Sequence, residues 1–162
     1  MNRKIARSML VTLSIATPCI CMVPAVQAQD KSCSTAKAAG DWGFILSGTI
    51  LLPTGPVPVA GVVRATVDAQ GNATTATESR SVGGMFANET LTASWTVNSD
   101  CTGTLTVNAF ESGGLVRISV LSLIFVDNMR EVLMVQQSLT QQPGGAVLPV
   151  VITATGKRVF TD

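Results

Sequence analysis

From Asp41 to Leu52 apolar and polar positions alternate: Trp42, Phe44, Leu46, Ile50 and Leu52 fall on one side, Ile45, Ser47, Thr49 and Leu51 on the other. A period of two belongs to a strand with one buried face. After the proline-rich link "PTGPVP", the run "VAGVVRATVD" repeats it, with Val59, Val63, Ala65 and Val67 opposed to Arg64, Thr66 and Asp68. "DAQGN" supplies turn residues, and the third run, "ATTATESRSV", is polar with no apolar face, as expected of an edge strand or a mobile flap. The cleanest alternation is "FANETLTASWTV", where Leu91, Ala93, Trp95 and Val97 oppose Thr90, Thr92, Ser94 and Thr96.

The turn "VNSDCTGT" leads into "GTLTVNAF", with Leu105, Val107 and Ala109 inward, and "ESGG" leads into the nearly unbroken apolar run "LVRISVLSLIFV". "REVLMVQQS" is the seventh run, "TQQPGGAVLP" a loop and "VVITATGKRV" the last, with Val150, Ile152 and Ala154 inward. Eight runs joined mostly by short turns describe an all-β, single-domain antiparallel meander. Closure into an eight-stranded up-and-down β-barrel is the preferred reading. A β-sandwich is the alternative, disfavoured because sandwiches use long crossovers. Apolar residues on both faces of "VLSLIFV" and "EVLMV" suggest that another subunit or a loop covers part of the outer wall, leaving homo-oligomerisation open.

The first 28 residues have a different pattern: a basic start (Arg3, Lys4, Arg7), an apolar run from Met9 to about Met22, and the small-residue exit "VQA". They are expected to be a cleaved secretory signal, leaving 29–162 as one domain in a secreted or periplasmic setting. No later segment offers the roughly twenty apolar residues of a membrane helix, so no membrane insertion is expected after cleavage. Cys19 and Cys21 would leave with the leader, and Cys33 and Cys101 would pair in an oxidising compartment. Two unpaired thiols are the alternative. The bridge would close a loop of roughly 70 residues, worth roughly 4 kcal/mol in the chain-entropy account. It would tether the N-terminal segment at one end of the barrel. Cys33, Trp42 and Cys101 loosely imitate immunoglobulin spacing, but position 99 is serine where that fold has tyrosine, and both cysteines fall outside the strand patterns.

Export would leave eight basic against ten acidic residues with no basic patch, which argues against nucleic acid or an anionic membrane as partner. The chain has no histidine and no tyrosine, so hydrolytic triads in their usual form and nitrogen-built metal sites lack their residues. No cofactor fingerprint appears, and no cofactor or metal is expected.

"AGDWGFILSG", "DAQGN", "WTVNSDCTGTLTV", "FVDNMREV" and "ATGKRV" together resemble a family of secreted, mostly uncharacterised bacterial proteins. The likeness spans Cys33 to Arg158 and departs in the polar third run. It implies a small eight-stranded barrel of the calycin or allene oxide cyclase type and brings no established activity. "GDW" at Gly40 to Trp42 is also similar to the start of lipocalins, where an arginine of the last strand lies over the tryptophan. Arg158 has the parity to do so here, a structural contact closing one end with about 1 kcal/mol or more of cation-π attraction.

Candidate chemistry rests on polar residues whose parity points inward. Glu89 is in register with Leu91 and Trp95; Arg117 shares parity with Leu121 and Leu123, and Glu131 with Leu133 and Val135, although both faces of the last two strands are apolar. A charge inside a small barrel must be paired or bound. One reading is an ion pair near the rim. The other is an anchor for the polar end of a small apolar ligand whose body contacts Phe44, Trp95 and Met134. Three functions follow: a non-enzymatic small-molecule binder, a structural or adhesive envelope module with a filled barrel, and a cyclase-like enzyme using Glu89 or Glu131 as acid. The last requires a buried carboxylate of raised pKa beside an open apolar cavity.

Overall fold

The computed structural model describes residues 32–159, so the expected leader lies outside the described residues. Nine strands run in chain order: β1 (Gly40–Leu52), β2 (Gly55–Val67), β3 (Ala73–Val82), β4 (Met85–Val97), β5 (Thr102–Glu111), β6 (Gly114–Val126), β7 (Glu131–Gln141), the two-residue β8 (Val147–Leu148) and β9 (Val150–Arg158). Each of β1 to β6 pairs antiparallel with the next. β6 pairs with β7, β7 with β9, and β9 returns to β1 with Trp42 opposite Arg158. The result is a closed eight-stranded antiparallel barrel, with β8 a short extension on β7. Closure excludes the sandwich. Among the described residues the helical turns are two 3-10 turns, Ala36–Ala38 and Asp127–Met129, and no helix is long and apolar enough to cross a membrane.

The third run is a wall strand, paired with β2 from Val59↔Val82 and with β4 from Thr77↔Thr90. It is neither an edge nor a flap. Its want of an apolar face has a structural reason, since its inward positions are Ala76, Glu78 and Arg80. The loop expected at 140–149 contains β8, where Leu139 pairs with Leu148.

Interior parity follows the alternation. Trp42, Trp95, Phe125, Val132 and Met134 form the main core with Leu91, Leu105, Leu121 and Leu123. Ile50, Val59 and Ile152 form a smaller cluster toward the opposite end. Among the described residues no loop covers the outer wall of β6 and β7, where Ile124, Leu133 and Val135 are exposed.

Candidate functional site

The lumen has an aromatic floor. Trp42, Trp95 and Phe125 meet edge to face, with ring centroids 5.4 to 5.7 Å apart. Below them the N-terminal segment acts as a plug. Trp42 Nε1 donates to Ala38 O at 2.9 Å, and the Arg158 guanidinium lies over the Trp42 ring at 5.1 Å. The same guanidinium donates to Met129 O and Ala39 O, each at 2.9 Å, and to Lys37 O. Arg158 therefore ties β9, the β6–β7 turn and the N-terminal segment together. The Cys33–Cys101 disulfide anchors that segment from the other side, to the β4–β5 turn. A disulfide fits an oxidising, extracytoplasmic environment.

Toward the opposite end of the lumen, four charged side chains converge from three strands. Glu78 on β3 and Glu89 on β4 are direct cross-strand partners, 2% and 3% exposed. Two carboxylates facing each other out of water repel, and the cost is met by arginine. Arg117 on β6 donates to Oε2 of both glutamates, and Arg80 donates to Glu89 Oε1 at 2.7 Å. Arg117 reaches them across β5 because the position between is Ala109, which pairs with Leu91 on one side and Arg117 on the other. A larger side chain at 109 would occupy the guanidinium's path.

The cluster is electrically balanced but not fully satisfied. Glu78 Oε1 and Arg80 Nε are buried without a hydrogen-bond partner, as is Trp95 Nε1 at the floor. An ideal Cβ on Gly61 would stand 3.1 Å from Glu78 Oε1, so this glycine leaves the room that the carboxylate occupies. Burial pushes the Glu78 carboxyl above its ordinary 4.5; Arg117 and Arg80 pull it back and Glu89 adds to the rise. Arg80 is held below its ordinary value, first by burial and then by Arg117.

Between floor and charges lies a cavity of about 100 Å³. It exists because facing interior positions are small: Ala65, Ala73, Ala76, Ala93 and Ala154 line it, and larger residues there would fill it. Phe44, Trp95, Met134 and Arg117 line it too. Glu89 is inside the barrel but held by its two arginines, away from the cavity lining. Glu131 is not inside. Leu133 and Val135, which share its parity, are exposed, and Glu131 lies 3.9 Å from the exposed Lys157 on the outside of the plugged end. The inward face of β7 is the other one, with Val132 and Met134. Glu78 and Arg80 are the residues sequence reasoning missed. Their signal was present: both share the parity of Ala76, but without apolar neighbours the face was not recognised as interior.

Comparison of the chain with protein-family models, curated proteins and solved structures gives no match. The likeness to calycin-type proteins thus stands at the level of an eight-stranded antiparallel barrel. Among the described residues no three potential metal-ligating side chains converge.

Proposed function

We propose that the protein is an exported, non-enzymatic binding module whose lumen takes one small, mostly apolar molecule. The observation that carries this reading is the apolar cavity inside the closed wall, with aromatic rings at one end and balanced charges at the other. Its size sets the ligand class. Drug-sized ligands occupy about 300–1,000 Å³ and benzene fits an engineered cavity of about 150 Å³. At about 100 Å³, this lumen suits a molecule of a few heavy atoms. Affinity would come from removing that apolar surface from water, at roughly 25 cal/mol per Å² before the costs of association.

The same small volume favours a second reading, a structural module whose barrel is nearly filled by its own side chains. The cyclase reading has less support. Of its two named acids, Glu131 stands outside the barrel and Glu89 is bound by guanidinium on both oxygens. The test is titration with a size series of small apolar molecules, followed by side-chain NMR of the lumen residues, in the wild type and in Ala93→Leu. Saturable shifts at Trp95 and Met134 that vanish in the filled variant support binding. Their absence across the series, with an unliganded mass for protein purified from its own host, supports the filled barrel.

A further inference from the structure

At the end of the barrel opposite the plug, two hairpins outreach their neighbours, and their exposed edges differ. The β1–β2 hairpin extends past β3, whose last partner on β2 is Val59. There the Gly83 N–H bonds Pro58 O, so even-numbered β2 residues face that side, and Pro56 and Pro58 have no N–H to offer a new strand. Proline on a protruding edge blocks strand addition. The β3–β4 hairpin likewise extends past β5: the last β4–β5 pair is Thr90↔Phe110, while β4 continues to Met85. Trp95 N–H bonds Gly71 O on the β3 side, and Asn98 N–H bonds Thr102 O on the β5 side. Alternation therefore turns the backbone N–H and C=O of Phe86 and Asn88 to the open side, where no proline or lysine protects them.

Two further observations fall on this edge. Met85 and Phe86 are the most exposed large apolar side chains of the described residues, at 78% and 69%. Beside them, where β5 would have continued, lies a notch of about 510 Å³ lined by Ser79, Asn88, Thr90, Phe110, Ser112 and Gly113.

We infer that this edge pairs with the same edge of a second copy, joining two barrels through an antiparallel β4–β4 ladder about a two-fold axis at Phe86. In that register Phe86 faces Phe86 of the partner subunit and Asn88 faces the partner's Gly84, so the ladder ends short of Thr90, whose side Phe110 already occupies. Phe86 then exchanges both backbone hydrogen bonds with its copy, and the open donor and acceptor of Asn88 meet the backbone of the partner's hairpin tip. The two Phe86 rings become direct cross-strand neighbours on one face of the ladder, within aromatic reach. Met85 to Asn88 carry no charge, and the two carboxylates that also line the notch, Glu78 and Glu89, are held by their own arginines. The approaching tip is Gly83–Gly84, both at positive φ, which offers no side chain to collide with Ser112 and Gly113. One short ladder is a small interface, so the dimer forms in a concentration-dependent way.

Sedimentation velocity of the purified chain over a wide concentration range tests this, with amide exchange read at Phe86 and Asn88. Asn88→Pro copies the protection found on β2 and keeps the backbone bonds to β3, losing on that side only the exposed bond that Asn88 Oδ1 accepts from Ser79 Oγ, and Phe86→Lys adds a charge that meets its own copy. The wild type should dimerise, with both amides slowing as concentration rises. Each variant should weaken association at least tenfold while keeping the wild-type circular dichroism spectrum and melting temperature. A wild type that stays monomeric, or a dimer that survives both substitutions through another face such as the Leu133–Val135 wall, overturns the inference.

Discussion

Arg117 is the residue on which the charged end of the lumen turns. It is 8% exposed and bridges two glutamates that would otherwise oppose each other in a medium that solvates neither. Removing one partner of a buried network costs more than the network contributes, because the remaining charges stay buried. Arg117→Met should destabilise the barrel by roughly 3–5 kcal/mol near neutral pH in urea unfolding, and the loss should shrink in acid as Glu78 takes up a proton. Glu78 gives a separate signature. Its folded-state pKa lies above the ordinary 4.5, with Arg117, Arg80 and Glu89 as the charged groups around it. Across the window between those two values the native state holds more protons than the unfolded chain, so stability falls as pH rises. Glu78→Gln removes that titration. Its stability relative to wild type should be flat below about pH 4.5 and increase with pH above it, as read from urea midpoints along a pH series. A difference that decreased with rising pH would mean that the arginines outweigh burial.

At the scale of elements, the plug under the floor is made by chemistry that no strand supplies alone. Ala36–Ala38 is a single 3-10 turn whose side-chain cap is the Ser34 hydroxyl, accepting from Lys37 N–H at 3.2 Å, and a turn of that length has little stability of its own. It is held by the Trp42 indole, two Arg158 hydrogen bonds and the disulfide to Cys101, whose backbone stands at φ 71° in the β4–β5 turn. Arg158→Met keeps an unbranched apolar stem and loses the fork. It should cost roughly 2–4 kcal/mol, and amide exchange at Ala38 and Ala39 should accelerate more than in the strands. Arg158→Lys should rescue little of this, since an ammonium cannot reproduce the planar, forked contacts on three carbonyls and a ring. The plug was legible in part. "GDW" and the parity of Arg158 pointed to the stacked pair, whereas the carbonyls it binds come from Lys37, Ala39 and Met129, whose backbone atoms carry no sequence signature.

For the whole molecule, closure is the fact from which the rest follows. Every wall strand is paired on both sides over most of its length, so no sheet edge runs the height of the barrel, and the residual edges are the hairpins that overreach their neighbours. A wall of this kind has no element that can leave without breaking two ladders. Unfolding should therefore be a single cooperative event. The two tryptophans both stand in the floor, so fluorescence reports the floor while circular dichroism reports the wall, and their urea transitions should coincide. A fluorescence transition that came first would show floor and plug releasing as a separate unit.

Much of this was written in periodicity. Strands with one apolar side, such as β1, β4 and β5, announce their inward face because burial repays apolar residues at every second position. The short turns between them leave little but an up-and-down order. Where periodicity failed, it failed for a reason. β7 is apolar on both faces, so parity could not orient Glu131, and the exposure of Leu133 and Val135 settled it outside. β3 is polar on both faces because its interior work is electrostatic, and that work depends on a glutamate and an arginine distant in sequence. Only the closed wall brings Arg117 across Ala109 to Glu78 and Glu89. Only the summed smallness of alanines on separate strands leaves a cavity. The periodicity is local and belongs to each strand; charge pairing, cavity and exposed edges are relations between strands, decided by register and stagger when the ring closes.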